Sequence, residues 1–186
     1  YSAGGANVGA ALDTSKSLLQ AGSNPVAASF ANVTNYSRGI NGVVLDILGL
    51  SATTLTASDF TFKMSPQGAF NEAANPPSSW SNAPTPTSIT VSSGTPAAGT
   101  SRVRIEWPDN LIQDRWLQIR VLANANTGLQ SPATYYLGNL RGDIDGVLTG
   151  GLLVLQNADL TAALPVGGLG SVSNIRDVDK NGFILN

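Results

Sequence analysis

"SRVRIEW", residues 101–107, alternates apolar and charged side chains without a break. In an extended chain, successive side chains point to opposite faces. Val103, Ile105 and Trp107 therefore share one side, and Arg102, Arg104 and Glu106 the other. One apolar and one charged face describe a strand that lies on a core with its back in water. The same texture continues on both sides of it. "RWLQIRVLAN" (115–124) and "TYYLGNL" (134–140) follow, and "TSITVSS" (87–93), "DFTFKMS" (59–65), "GVVLDILGL" (42–50) and "PVAASFANVT" (25–34) precede, each with strand-like alternation or β-branched content. Between them, "NEAANPPSSWSNAPTPTS" (71–88) and "GTPAAGTS" (94–101) carry too much Pro and Ser for helix or ladder and are predicted loops. Short strands at regular spacing with polar turns predict an all-β chain, an antiparallel β-sandwich over residues 13–140, rather than a parallel sheet.

The two ends differ from this body. Residues 1–12, "YSAGGANVGAAL", are small and Gly-rich and read as a flexible or extended arm. From Leu140 onward acids outnumber bases, and "GGLLVLQNADLTAAL" (150–164) is the one stretch with helical character, ended by Pro165 and "GGLG" (167–170). A boundary near residue 140 separates a tail, 141–186, from the sandwich.

Composition narrows the function. The 186 residues suit one domain, or one domain with a small appendage, and 42% apolar content is enough for a core. Charged residues make up 12%, about half the usual share, and Ser, Thr, Ala, Asn and 20 Gly fill the difference. Such a surface goes with secreted and surface-exposed bacterial proteins. The net charge is −2, and Arg102, Arg104, Arg115, Arg120 and Arg141 are interspersed with acids, so no phosphate-tracking stripe for nucleic acid is expected. The absence of Cys and His removes thiolate nucleophiles, disulfides, Cys/His zinc sites and the usual base near neutral pH. The chain starts at Tyr1 without Met or a leader-like segment, which suggests a mature or excised fragment. No apolar run approaches the roughly 18 residues of a transmembrane helix, so no membrane span is expected.

The sharpest motif is "RDVDKNGFILN" (176–186). Calcium takes six to eight oxygens, and a loop with acids at its first, third and fifth positions wraps three ligands around the ion before a sharp glycine turn. Asp177, Asp179 and Asn181 fill those places, followed by Gly182, the Phe183 carbonyl and the apolar Ile184. Asn186 stands at the tenth position, so the acid expected at the twelfth comes from elsewhere or lies beyond. The plain alternative is an Asp/Asn/Gly turn without metal. "RGDIDGVLTGG" (141–151) reads as a second, damaged loop with Asp143 and Asp145 at its first and third positions.

"NYSRGINGVVLDILGLSATTLTASDFTFKM" (35–64), "SSWSNAPTPTSITV" (78–91), "SRVRIEWPDNLIQDRWLQIRVLANANTGL" (101–129) and "YYLGNLRGD" (135–143) together resemble a β-sandwich module of large secreted proteins from planctomycete-type bacteria. That module is similar in kind to cohesin-like and carbohydrate-binding-module-like sandwiches of the immunoglobulin/cohesin type, and is commonly followed by a dockerin-like calcium segment. The resemblance spans about residues 13–186 and departs from dockerins at loop positions five and twelve. It implies a fold, an extracellular setting and calcium, with a short helix after each half-loop. It implies no activity.

A sugar-binding face needs exposed coplanar rings with hydrogen-bonding neighbours. Trp107 and Trp116 sit in apolar alternation and are expected in the core, which leaves Trp80, in a Pro/Ser loop, as the candidate glycan contact. Glycosidase chemistry needs two carboxylates about 5–10 Å apart in a cleft, whereas "EWPDN" (106–110) reads as a strand end and turn. Catalysis is not expected. "RGD" (141–143) is too short to carry an adhesion reading. The sequence thus predicts a non-catalytic, calcium-stabilised extracellular structural or docking module. Its partners would be copies of itself, as in a fibre or surface layer, or another surface protein. The alternative is a carbohydrate-binding module.

Overall fold

The computed structural model describes residues 12–22, 27–69, 74–143, 146, 148–149, 152–153, 168–169 and 183–184. In chain order the strands of the body are β1 (Leu19–Gln20), β2 (Val33–Thr34), β3 (Gly42–Leu48), β4 (Phe60–Met64), β5 (Ser81–Asn82), β6 (Ser88–Ser93), β7 (Thr100–Glu106), β8 (Arg115–Val121) and β9 (Ala133–Asn139). They form two sheets, and the described body is all-β. The larger runs β1-β9-β8-β4-β5, with β2 also on β9, and the smaller runs β3-β7-β6. All pairings are antiparallel except β2 on β9.

The alternating stretch becomes β7, the middle strand of the smaller sheet. Ile105 lies opposite Val43 and Ile89, and Val103 opposite Leu45 and Val91, so one face of three strands is apolar throughout. On the back, Arg102 lies opposite Asp46, and its Nε and Nη2 donate to the two carboxylate oxygens at 2.8 Å each. In the larger sheet Leu117, Ile119 and Val121 of β8 alternate in the same way and join Phe60 of β4 and Leu137 of β9. The inner faces of both sheets feed one core cluster, in which Val103, Ile105, Ile112, Leu117 and Ile119 have no exposed surface. Trp107 closes this core, its indole donating to the Pro84 carbonyl at 2.8 Å.

Several expectations change. Among the described residues of "PVAASFANVT", Val33–Thr34 is the one strand, because Phe30–Asn32 makes a 3₁₀ turn. There the Asn32 carboxamide oxygen accepts from the Ser29 N–H (2.9 Å) and hydroxyl (3.2 Å), a side-chain bond that competes with a ladder. Trp116 is not in the main core. Its parity places it with Gln118 and Arg120 on the outer face, where it packs with Phe30, Val33 and Leu140 in a second small cluster. Gly138 lies opposite it, and a methyl there would sit 2.9 Å from Val33 Cγ2.

In the tail, β10 (Leu148–Thr149) pairs antiparallel with β11 (Leu152–Leu153), and β12 (Gly168–Leu169) with β13 (Phe183–Ile184). The helix expected over 150–164 is therefore not found at 152–153. By sequence, Gly150 and Gly151 lie between the paired positions, and Gly-Gly is a two-residue hairpin signal that outweighs the apolar run after it. The rest of that stretch, and the expected arm apart from residue 12, fall outside the described residues. Among the described residues no helix is long and apolar enough to cross a membrane.

Candidate functional site

The junction between body and tail is built from β8, β9 and the turn before β8. Asn139 ends β9 fully buried, its side chain donating to the carbonyls of Thr34 (3.1 Å) and Tyr36 (3.0 Å) and accepting from the Asp114 N–H at 3.0 Å. Asp114 sits in the left-handed region at φ 50°, which Asp tolerates better than most residues. Its Oδ1 accepts from the Arg141 N–H at 3.1 Å, and both its oxygens face the Arg141 guanidinium. Burial pushes the Asp114 carboxyl up, but the bonds from Arg141 prevail and hold it below its ordinary range.

Two residues on, Asp143 is fully buried, and its Oδ1 accepts from the Gly146 N–H at 2.9 Å. Gly146 takes φ 63°, and a Cβ there would lie 2.5 Å from Phe30 Cγ, so this turn requires glycine. The first acid of the damaged loop thus belongs to the packed body. Asp145, Asp177, Asp179 and Asn181 lie outside the described residues, while Phe183 falls in β13 opposite Leu169. Among the described residues no group of three or more acidic, His or Cys side chains is placed to hold a metal.

The body's other acids tie loops together. Asp59, 2% exposed, accepts from the Thr56 N–H (2.8 Å) and from the amides of Asn124 (3.1 Å) and Asn126 (2.9 Å). Burial raises its carboxyl, and these bonds bring it below its ordinary value. Asp109 accepts from Arg38 (3.0 Å) and Asn41 (2.9 Å), and again burial is outweighed by the bonds. A general acid needs the opposite shift, a carboxyl held protonated by its surroundings. The Asp59 clasp carries no chemical motif in the sequence. Its only trace is the Asn/Thr content of "NANT" (124–127).

Trp80 is 7% exposed, not the open ring expected of a sugar platform. It follows the 3₁₀ turn Pro77–Ser79, donates from its indole to the Asn75 carbonyl at 2.8 Å, and meets Tyr136 edge-to-face with ring centres 5.9 Å apart. Its neighbour Tyr136, which sequence reasoning passed over, lines a groove of about 340 Å³ on the outer face of the larger sheet. Two cross-strand rows make the floor, Thr61–Arg120–Thr134 and Lys63–Gln118–Tyr136. Ala21 and the Pro77–Ser78 turn flank it. The Gln118 amide donates to the Tyr136 hydroxyl at 3.0 Å. Strand parity alone would have put these polar residues on one face; the loop that walls them is not legible from parity.

No protein-family model matches the chain, and neither a curated protein nor a solved structure shows significant similarity to it.

Proposed function

We propose that the chain is a non-catalytic extracellular module, a β-sandwich of immunoglobulin/cohesin-like kind whose acidic tail binds calcium and whose role is structural or docking. The observation that carries this reading is the junction. Arg141 is clamped on Asp114, and Asp143 is buried against the body with Gly146 closing its turn. Arg141, Asp143 and Gly146 are thereby fixed on the body, so an ion that took Asp143 among its ligands would couple to the stability of the body. A tail of 141–186 is too small to build a large core by itself, and metal binding is a common substitute. The commitment of Asp59, Asp109 and Asp114 to structural bonds, with carboxyls held ionised, supports the non-catalytic part.

Calorimetric titration of calcium into the metal-free chain tests the reading. Saturable binding is expected, and the double substitution Asp177→Asn, Asp179→Asn should abolish it. Absence of binding heat in the unsubstituted chain, or unchanged binding in the double variant, would remove calcium from the account. Docking is tested on the same sample by size-exclusion chromatography, where a calcium-dependent rise in mass marks assembly between copies.

A further inference from the structure

We propose that the groove on the outer face of the larger sheet binds an acidic polysaccharide, with Lys63 and Arg120 taking its anionic groups and the neutral rows taking its hydroxyls. This goes beyond the calcium-dependent role and does not rest on it. Lys63 and Arg120 are diagonal neighbours across β4 and β8, since Lys63 pairs with Gln118 and Thr61 with Arg120. Diagonal positions are within reach of long side chains. Arg38, Arg102, Arg104 and Arg141 each pair with a carboxylate, whereas neither Lys63 nor Arg120 makes an ion pair among the described residues. In a chain of net charge −2 with few charges, two unpaired cations in one groove form a specific local field.

The remaining floor fits sugar rather than protein. Thr61, Thr134, Gln118 and the Tyr136 hydroxyl offer donors and acceptors at successive positions along the sheet. A protein partner would need a desolvated apolar or aromatic anchor at the centre. Here the one aromatic of the floor, Tyr136, has its hydroxyl engaged by the Gln118 amide, and the small apolar contributions, Ala21 and Pro77, stand at the flanks. Trp80 enters as a positioning residue through its edge-to-face contact with Tyr136.

The test is native affinity electrophoresis of the full chain in excess chelator. Separate gels contain polygalacturonate, chondroitin sulfate, neutral dextran or poly-L-glutamate. Retardation is expected in at least one of the two acidic polysaccharides, the pair distinguishing carboxylate from sulfate, and not in dextran. The double variant Lys63→Met, Arg120→Gln should bind at least about tenfold more weakly, and raising the salt to about 0.5 M should weaken the unsubstituted chain as well. Arg120→Gln alone, at an exposed position, should give a partial loss with an unchanged near-ultraviolet circular dichroism spectrum. Arg102→Gln, the same charge change on the other sheet, should leave binding intact. No retardation in either acidic gel, equal retardation in dextran or poly-L-glutamate, or full binding by the double variant would each overturn the proposal.

Discussion

At the scale of single residues, one buried and two half-buried carboxylates account for the fixed loops. Asp59, Asp109 and Asp114 all sit below their ordinary range in the folded chain. A carboxyl depressed by folding contributes stability in full above its unfolded value of about 4, and loses it as pH falls through the lower folded value. The melting temperature should therefore hold steady down to about pH 4 and fall below it. Asp59→Asn removes one charged acceptor from four donors and should cost about 2 kcal/mol at neutral pH, roughly 4–8 °C in melting temperature. The variant should also lose less than the parent between neutral pH and about pH 3. Differential scanning calorimetry across that range checks both statements, and an equal pH response in the two proteins would remove Asp59 from the account. Gly39 is a second test. At φ 85° a Cβ would collide with the Ile112 backbone carbonyl, and Gly39→Ala should cost about 1–3 kcal/mol in a denaturant titration.

At the scale of elements, parity explains what was legible in the sequence. β3, β4, β6, β7, β8 and β9 each fall within three residues of the alternating or β-branched runs, and in β7 and β8 the reason is plain, since one face is more buried than the other. Where two residues suffice to pair, as at Leu19–Gln20 and Ser81–Asn82, there is no period to read. Trp116 misleads for a related reason. It is large and apolar, but its even position in β8 sends it outward, where Phe30 and Val33 from a distant segment cover it. Asp143 stands out in the sequence as an acid of a loop-like motif, while its burial beside the Gly146 turn is not encoded in that spacing. The parity of β8 gives a direct prediction. Leu117→Asn places an amide in the shared core and should cost about 3–5 kcal/mol, whereas Gln118→Asn, one residue away on the outer face, should cost under about 1 kcal/mol. Similar losses for both in urea titrations would mean that the register of β8 is wrong.

At the scale of the whole molecule, two sheets share one core, and the acidic tail leaves it through a clamped junction. The central claim is that calcium in the tail and the fold of the body form one thermodynamic unit. An ion that binds only the folded chain stabilises it by RT ln(1 + [L]/Kd), about 2.7 kcal/mol at a hundredfold excess over Kd. The decisive measurement is thermal unfolding followed by tryptophan fluorescence, in calcium and in excess chelator. Trp80, Trp107 and Trp116 all lie in the body, so the signal reports the two-sheet body and not the tail. One transition is expected, moving up by roughly 5–10 °C when calcium is present. Superimposable curves in calcium and chelator would contradict it, and the Asp-rich loops would then be ordinary turns.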